Sequence, residues 1–176
     1  MIRDATEGDA AACAAIYAPY VTDTVITFEY EPPSDVEMAA RIASAQRRHA
    51  WLVLEESADA GGSRVVGYAY AAPVKDRAAY QWSCEVSVYL EQGRRRSGAG
   101  RALYEDLFTR LAGRGYRTVV AGMTLPNEAS EGLHRALGFE PIGVQREIGW
   151  KHGQWRSVAW VQRRISDVDG PPAPIA

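Results

Sequence analysis

The chain reads Gly93-Arg94-Arg95-Arg96-Ser97-Gly98-Ala99-Gly100-Arg101-Ala102 where a strand-like run ends and a helix-like run begins. Glycines let the main chain come close to a ligand, and the first amides of a helix have no hydrogen-bond partner within it. Four arginines and such amides at one turn indicate a site for a small anion, and a phosphate-bearing cofactor suits it. The alternative is an ordinary glycine-rich turn whose basic side chains are only solvated.

Two other kinds of phosphate-binding loop do not fit this stretch. A P-loop closes on a Lys-Ser or Lys-Thr pair, which the stretch lacks. A dinucleotide fingerprint would place its third glycine at position 103, where the chain has Leu103. The stretch therefore indicates a phosphate site of another kind.

The overall charge favours a local anion site over a nucleic-acid surface. The 176 residues include 20 basic and 22 acidic side chains, a net charge of −2, so nucleic acid is not an expected partner. A hydrophobic content of 47% is typical of a globular domain, and no apolar run is long enough to predict a membrane span. Two cysteines, Cys13 and Cys84, are too few for a disulfide framework and favour a cytoplasmic protein.

Strand-like and helix-like patterns alternate along the chain. Strands are predicted at residues 2–5, 51–55, 65–71, 82–90, 118–124, 141–148 and 155–163. Helices are predicted from capping boxes at Thr6 and Ser34 to about residues 18 and 48, and at 102–111 and 129–137. Residues 1–166 therefore indicate one α/β domain (α+β mixed) with a largely antiparallel first half. The proline-rich tail, residues 167–176, is expected to be disordered.

The strand at 82–90 has two unlike faces, because side chains alternate along a strand. One face is apolar and suits the core: Cys84, Val86, Val88 and Leu90. The other face carries Glu85, Ser87 and Tyr89. A carboxylate in mid-strand beside a tyrosine indicates a face that opens toward a ligand. An exposed strand with an ion-paired glutamate is the alternative.

Several segments, taken in order, resemble the GNAT acyltransferases, and among them the phosphinothricin and methionine sulfoximine/sulfone N-acetyltransferases. The stretch at 95–100 is similar to the family's cofactor motif, Arg/Gln-x-x-Gly-x-Gly/Ala. The other matching segments are Tyr68-Ala69-Tyr70-Ala71, Lys75-Asp76-Arg77-Ala78-Ala79-Tyr80-Gln81-Trp82, Leu125-Pro126-Asn127, Leu133-His134-Arg135-Ala136-Leu137-Gly138-Phe139 and Lys151-His152-Gly153-Gln154-Trp155. Together they span nearly the whole chain.

The resemblance implies a fold and a cofactor. The fold is a splayed, mostly antiparallel central sheet flanked by helices, with acetyl-CoA in a V-shaped opening. Main-chain amides of residues 96–101 would bind the diphosphate, and the backbone of residues 88–90 would pair with the pantetheine arm. The residues so assigned to the cofactor are Val88, Tyr89, Leu90, Arg95, Arg96, Ser97, Gly98, Ala99, Gly100, Arg101 and Asn127. No metal site is predicted.

The resemblance also implies acetyl transfer to an amine. Glu85 takes the position of the general base, which removes a proton from the amine. Partial burial beside Trp82 and Tyr89 would raise the pKa of Glu85, and a main-chain amide near Val88 or Tyr89 would stabilise the oxyanion. His134 would protonate the departing thiolate or contact the substrate. A structural histidine on an amphipathic helix is the alternative.

By the same resemblance, a small amino acid is bound by a basic loop and two aromatic residues. The residues assigned to this substrate are Phe28, Lys75, Asp76, Arg77, Tyr80 and Tyr89. An arginine can bind a carboxylate or phosphinate through two N–H groups, while a lysine supplies a point charge. A solvated basic loop is the alternative for residues 75–77.

The expected substrate is thus a small-molecule amine of the phosphinothricin, methionine sulfoximine or methionine sulfone type, and the resemblance implies a homodimer. Two other functions remain open. One is N-acetylation of a protein or peptide amine, which needs an open groove. The other is a non-catalytic acyl-CoA-binding sensor, against which Glu85 argues.

Overall fold

The structure, a computed structural model, describes residues 1–58, 61–94, 97–167, 170 and 172–175. These residues form seven strands and four α-helices. The strands are β1 (Ile2–Asp4), β2 (Trp51–Ala58), β3 (Gly62–Pro73), β4 (Ser83–Leu90), β5 (Thr118–Thr124), β6 (Glu140–Lys151) and β7 (Gln154–Arg164). The helices are α1 (Ala10–Thr22), α2 (Asp35–Arg48), α3 (Ala99–Gly113) and α4 (Glu128–Ala136), and short 3₁₀ turns occur at Glu7–Asp9 and Ala78–Tyr80.

All seven strands form one sheet in the order β1-β2-β3-β4-β5-β7-β6. Neighbouring strands are antiparallel except for β4 and β5, which are parallel. This pair is in register only from Ser83 opposite Thr118 to Glu85 opposite Val120, although β4 continues to Leu90 and β5 to Thr124. The two strands therefore part beyond Glu85, and the predicted splayed, mostly antiparallel sheet is confirmed.

Helices cover both faces of the sheet, and the alternation of β4 decides which residues meet them. Cys84 and Val86 are 0% and 2% exposed in a core with α3, and Val88 and Leu90 pack against that core. A second core on the opposite face joins α1 and α2 to β2 and β3, with Tyr89 packed against it. The predicted apolar row of β4 is therefore confirmed.

The helix starts follow the capping signals in the sequence. Ser34 accepts a hydrogen bond from the Glu37 N–H and returns one to the Glu37 carboxylate, so the predicted capping box begins α2. Asp9 accepts from the Thr6 N–H, but one 3₁₀ turn precedes α1.

Helix α1 also continues a turn beyond its predicted end, through Pro19. Hydrogen bonds to its last carbonyls support this turn: the Thr22 hydroxyl donates to Ala18 and the Lys151 ammonium to Val21.

The hairpin between β2 and β3 is longer than predicted, because pairing continues to Ala58 opposite Gly62. Of the turn expected at residues 60–62, Ala60 lies outside the described residues, and Gly61 has a φ of +81°. The disorder expected for residues 167–176 stays a prediction, but two described residues of the tail contact the domain. The Ala173 carbonyl accepts a hydrogen bond from the Trp82 indole at 2.8 Å, and Ile175 packs against the core.

Within the described part of the chain, no helix is both long and apolar enough to cross a membrane. The same residues contain no group of three or more His, Cys, Asp or Glu side chains that could hold a metal ion.

Candidate active site

The start of α3 faces the end of β4 and presents main-chain amides. Gly98 caps the helix with a φ of +79°, a conformation that glycine adopts without strain. Ser97 accepts a hydrogen bond from the Ala99 N–H at 3.3 Å. The first turn of α3 carries no acidic side chain, so an anion there would meet the positive end of the helix dipole without repulsion from the helix itself.

Gly100 brings α3 close to β4 and α4. It is buried, and a Cβ at this position would lie 3.5 Å from the Leu133 side chain, 3.7 Å from Leu90 and 4.0 Å from Val88. The structure therefore brings together three predicted cofactor residues, Val88, Leu90 and Gly100. Leu133 of α4 joins them at the side of the opening.

The two described arginines of the glycine-containing stretch, Arg94 and Arg101, are ion-paired and do not supply the free charge that the sequence indicates. Arg94 donates to Glu91 and to Glu56, at 2.9 Å and 2.7 Å. Arg101 is paired with Glu105 one helical turn away at 2.8 Å. Arg95 and Arg96, two predicted cofactor residues, lie outside the described residues. Among the described residues, the anion preference therefore rests on the amides of α3.

Glu85 lies at the base of the opening, opposite Ala72 of β3 on one side and Val120 of β5 on the other. It is half-buried, and burial raises the pKa of its carboxyl group. The next residue of its row, Ser87, lies opposite Tyr70 of β3. Glu85 is thus a carboxylate at the meeting point of two diverging strands, with an environment that favours proton uptake.

Tyr89, the third member of this row, lies among other tyrosine rings. The centroid of its ring is 4.8 Å from that of Tyr17, 5.2 Å from Tyr20 and 5.5 Å from Tyr68. The Tyr20 hydroxyl also donates to the Leu90 carbonyl at 2.7 Å. The end of β4 is therefore held against α1, which fixes the main chain of residues 88–90.

His134 is buried on α4, only 4% exposed. Its Nδ1 lies 2.8 Å from the Ser130 carbonyl oxygen, so Nδ1 carries a proton and donates it. Its Nε2 lies 3.4 Å from the Tyr104 hydroxyl, which is also 3.4 Å from the Val86 carbonyl. Burial lowers the pKa of His134, which keeps the imidazole neutral near pH 7. The histidine therefore reaches β4 through Tyr104, a residue that the sequence had not singled out.

Asn127 caps α4, a role that the sequence analysis did not consider. Its side-chain oxygen accepts from the Ser130 N–H at 3.2 Å. The amide nitrogen of Asn127 is not needed for this cap. The predicted cofactor contact and the cap are compatible.

The predicted substrate residues fall into separate groups. Lys75, Asp76, Arg77 and Tyr80 are exposed in the loop between β3 and β4, which leaves β3 at Pro73, one register position from the pair of Ala72 and Glu85. Phe28, in the loop between α1 and α2, packs its ring against Gly149 of β6 instead. Tyr89 lies in the group of tyrosine rings beside β4.

A network of three side chains near Phe28 had no signal in the sequence. The Arg41 guanidinium donates to both oxygens of Glu29 at 2.7 and 2.8 Å, and the Tyr17 hydroxyl donates to Glu29 at 2.9 Å. Arg41 lowers the pKa of Glu29. These residues are 12 positions apart along the chain, a separation that no local pattern relates.

A cavity of about 390 Å³ lies between α2 and β3. Its walls include Arg41, Trp51, Tyr70 and Ala72. Because Ala72 is opposite Glu85, this cavity borders the polar row of β4. It offers space for an amine-bearing molecule on that face of the sheet.

The sequence and structure comparisons agree with this geometry. A family model for the acetyltransferase (GNAT) domain matches residues 2–160. The chain is 37% identical to a phosphinothricin N-acetyltransferase of Streptomyces viridochromogenes, covering 99% of this chain and 92% of that protein. It is 33% identical to an L-methionine sulfoximine/L-methionine sulfone acetyltransferase of Pseudomonas paraeruginosa, covering 97% and 98%.

A crystal structure of a phosphinothricin acetyltransferase from Sinorhizobium meliloti in complex with acetyl-CoA matches with a TM-score of 0.89. That protein is 35% identical, and the match covers 98% of this chain and 92% of that chain. The chain therefore belongs to the GNAT family of acetyltransferases, which transfer an acetyl group from acetyl-CoA.

Proposed function

We propose that this acetyltransferase acetylates the amine of a small amino-acid-like substrate of the phosphinothricin, methionine sulfoximine or methionine sulfone type, with Glu85 as general base. Relatives named for these activities match over nearly the full chain, which supports the substrate class. The observation that carries the mechanism is the half-buried Glu85 at the point where β4 and β5 part.

The residues of the opening fit acetyl-CoA. The amides at Gly98 and Gly100 lie at the start of a 15-residue helix whose first turn has no acidic group, which suits a diphosphate. The main chain of residues 88–90 borders the gap between the strands, and Asn127 is at the start of α4. Bound there, acetyl-CoA supplies the acetyl group as a thioester.

The side chains beside the opening have distinct tasks in this proposal. Glu85 takes a proton from the ammonium of the substrate, which makes the amine nucleophilic. The amine nitrogen bonds to the acetyl carbon, and a main-chain N–H of Val88 or Tyr89 donates a hydrogen bond to the acetyl oxygen as it gains negative charge. The C–S bond then breaks, CoA leaves as the thiolate, and the proton that the new amide nitrogen loses ends on that sulfur. His134 is neutral and already donates its Nδ1 proton to Ser130, so we assign it to orienting the Tyr104 hydroxyl beside β4.

The substrate class is tested by thiol release from acetyl-CoA with four acceptors: phosphinothricin, methionine sulfoximine, methionine sulfone and a short peptide with a free N-terminus. We expect turnover with at least one amino-acid analogue and none with the peptide. Turnover with the peptide alone would establish the protein-directed function instead. Acetyl-CoA binding without any turnover would indicate a sensor.

The role of Glu85 is tested by Glu85→Gln, which keeps the shape of the side chain and removes the base. We expect the rate of acetyl transfer to fall about 10²–10⁴-fold, the usual contribution of a general base, with the affinity for acetyl-CoA unchanged. Glu140→Gln, on the exposed start of β6, is the matched control. Equal turnover in both variants would remove Glu85 from the mechanism.

A homodimer is part of the proposal. β6 is the edge strand of the sheet, and five large apolar side chains of β6 and β7 are 49–58% exposed: Ile142, Val144, Ile148, Trp150 and Trp155. An exposed apolar edge strand favours burial against another chain. Light scattering should give twice the 19.3 kDa chain mass, and Val144→Lys should shift it toward the monomer. A monomeric wild type would contradict this.

The cytoplasmic location remains a proposal as well. Cys13 and Cys84 are both buried free thiols, as expected for a chain that folds in a reducing compartment.

A further inference from the structure

Residues 149–151 of β6 hold the loop that carries Phe28, and each of the three makes a different contact. At Gly149 the Phe28 ring lies directly on the main chain. A Cβ at this position would be no more than 2.7 Å from three carbons of the ring, so any larger residue must displace it. The Tyr30 hydroxyl donates to the Trp150 carbonyl.

Lys151 makes the third contact and is 1% exposed. Its ammonium donates to the carbonyl of Val21, in the last turn of α1, and to that of Thr27, both at 2.7 Å. A buried ammonium must have such partners to offset its lost hydration. Lys151 therefore fixes the main chain of the residue just before Phe28.

The opposite side of the loop is fixed by α1. The Tyr17 hydroxyl lies 2.6 Å from the Thr27 hydroxyl and donates to Glu29 at 2.9 Å, while the Tyr17 ring packs edge-on against Tyr89 of β4. Phe28 is thus set between two anchored neighbours, Thr27 and Glu29. This chain of contacts connects Gly149 to the row of β4 that carries Glu85.

We propose that Gly149 and Lys151 are positioning residues for the acceptor substrate: they set the depth at which the Phe28 ring lies beside the acceptor site, and so the affinity for the acceptor. This inference rests on the proposed function and on the family resemblance, which assigns Phe28 to the amino-acid substrate. The contacts lie on β6 and α1, away from the start of α3. We therefore expect changes at Gly149 and Lys151 to affect the affinity for the acceptor more than the affinity for acetyl-CoA.

The test is a double-mutant cycle of Gly149→Ala and Phe28→Leu, with the kinetic constants measured for the best acceptor of the panel. The added methyl group of Gly149→Ala displaces the ring by about 1 Å, an error that can cost up to about 10²-fold in a positioned site. We expect the acceptor KM to rise at least tenfold, with a smaller change in kcat and less than a twofold change in the Kd of acetyl-CoA.

Phe28→Leu removes the ring atoms that the new methyl group would meet. In the Phe28→Leu background, Gly149→Ala should therefore change the acceptor KM less than twofold. The inference would be overturned if the two substitutions changed the acceptor KM independently, so that their effects multiply in the double variant. It would also be overturned if Gly149→Ala weakened acetyl-CoA binding as much as acceptor binding. Melting temperatures of all four proteins separate a folding defect from a kinetic one.

Lys151→Met keeps the length of the side chain and removes its donors, and it provides a second route if Gly149→Ala does not fold. A raised acceptor KM with unchanged acetyl-CoA binding is expected, and an unchanged KM would count against the inference. The two proposals fail differently. If the wild type acetylates no amino-acid analogue, the proposed function fails; if it does so but the cycle shows no coupling, only the positioning role fails.

Discussion

At the scale of single residues, Glu85 combines a catalytic placement with a cost in stability. Its carboxylate is half-buried, and burial alone raises its pKa from the ordinary value of 4.5. When the pKa of a carboxyl group is raised in the folded state, the folded environment favours the protonated, neutral form. The same environment that suits proton removal therefore destabilises the folded protein once the group is ionised.

This cost predicts that Glu85→Gln stabilises the protein in a pH-dependent way. Well below pH 4.5 the glutamate is protonated in both the folded and the unfolded state, so the melting temperatures should agree there. As the pH rises from 4.5 through the raised pKa, the wild type loses stability that the variant keeps, so the difference in melting temperature should grow and then level off. Calorimetry at several pH values measures it. A variant less stable than the wild type at pH 8 would contradict the burial argument.

At the scale of elements, an added negative charge at the start of α3 tests whether this helix end binds the diphosphate. Ala99→Glu places a carboxylate in the first helical turn, where it is favourable for the helix. It would repel the diphosphate of acetyl-CoA, so we expect the Kd to rise at least tenfold with no loss of melting temperature. Ala99→Gln has the same shape without the charge and serves as the control. Calorimetric titration with acetyl-CoA measures both.

If Ala99→Gln weakens binding as much as Ala99→Glu, the effect is steric and the charge argument fails. If neither changes the Kd, the diphosphate is bound elsewhere.

At the start of α4, two substitutions of Asn127 distinguish its role as a helix cap from its proposed role in acetyl-CoA binding. Asn127→Ala removes the cap and should lower the free energy of unfolding by about 1 kcal/mol, a typical value for such a cap. Asn127→Asp keeps an acceptor for the Ser130 N–H and removes the amide donor. We therefore expect Asn127→Asp to keep the melting temperature and to weaken acetyl-CoA binding. Unchanged binding in the folded Asp variant would limit Asn127 to capping.

The elements that the sequence predicts well are those with local causes. The period of two in β4 assigns Val86 to the core and Glu85 to the opposite face, and the capping box at Ser34 gives the start of α2. The helix predicted at 102–111 is present as α3, but it begins at Ala99, about one turn earlier than predicted, and ends at Gly113. Each of these signals lies within a few residues of the feature it predicts.

The features that the sequence does not predict depend on contacts between distant parts of the chain. The sequence indicates Arg94 as a group that could bind an anion, but in the structure Arg94 forms an ion pair with Glu56 of β2. Lys151 bonds to a carbonyl 130 residues away. The splay of the sheet followed from the family resemblance and not from periodicity, because a three-residue register between β4 and β5 leaves no local pattern.

At the scale of the whole molecule, the opening divides the sheet into two arms. One arm contains β1 to β4, and the other contains β5, β7 and β6. The arms are joined by the short pairing of β4 with β5, by the loop of Phe28 on β6, and by Tyr116, which precedes β5 and donates to the Arg48 carbonyl at the end of α2 at 2.9 Å. Contacts on both sides of the opening therefore hold the two arms together.

The last of these joints predicts how the molecule responds to acid. His49 ends α2, is 5% exposed and packs against the Tyr116 ring with 5.3 Å between the ring centroids. Burial, together with Arg48 and Arg114, lowers the pKa of His49 from 6.5 to about 4. A histidine with a lowered pKa contributes stability that is fully present above pH 6.5 and is lost as the pH falls toward 4.

We therefore expect the melting temperature of the wild type to fall between pH 6.5 and 4, and that of His49→Phe to fall less, because phenylalanine keeps the ring contact and takes up no proton. His134, whose pKa is also lowered, remains in both proteins, so the difference reports His49 alone. Asp9, whose pKa Arg3 holds at about 2, stays ionised throughout this range. Equal slopes of melting temperature against pH in the two proteins would mean that His49 accepts its proton without disturbing the joint between the arms.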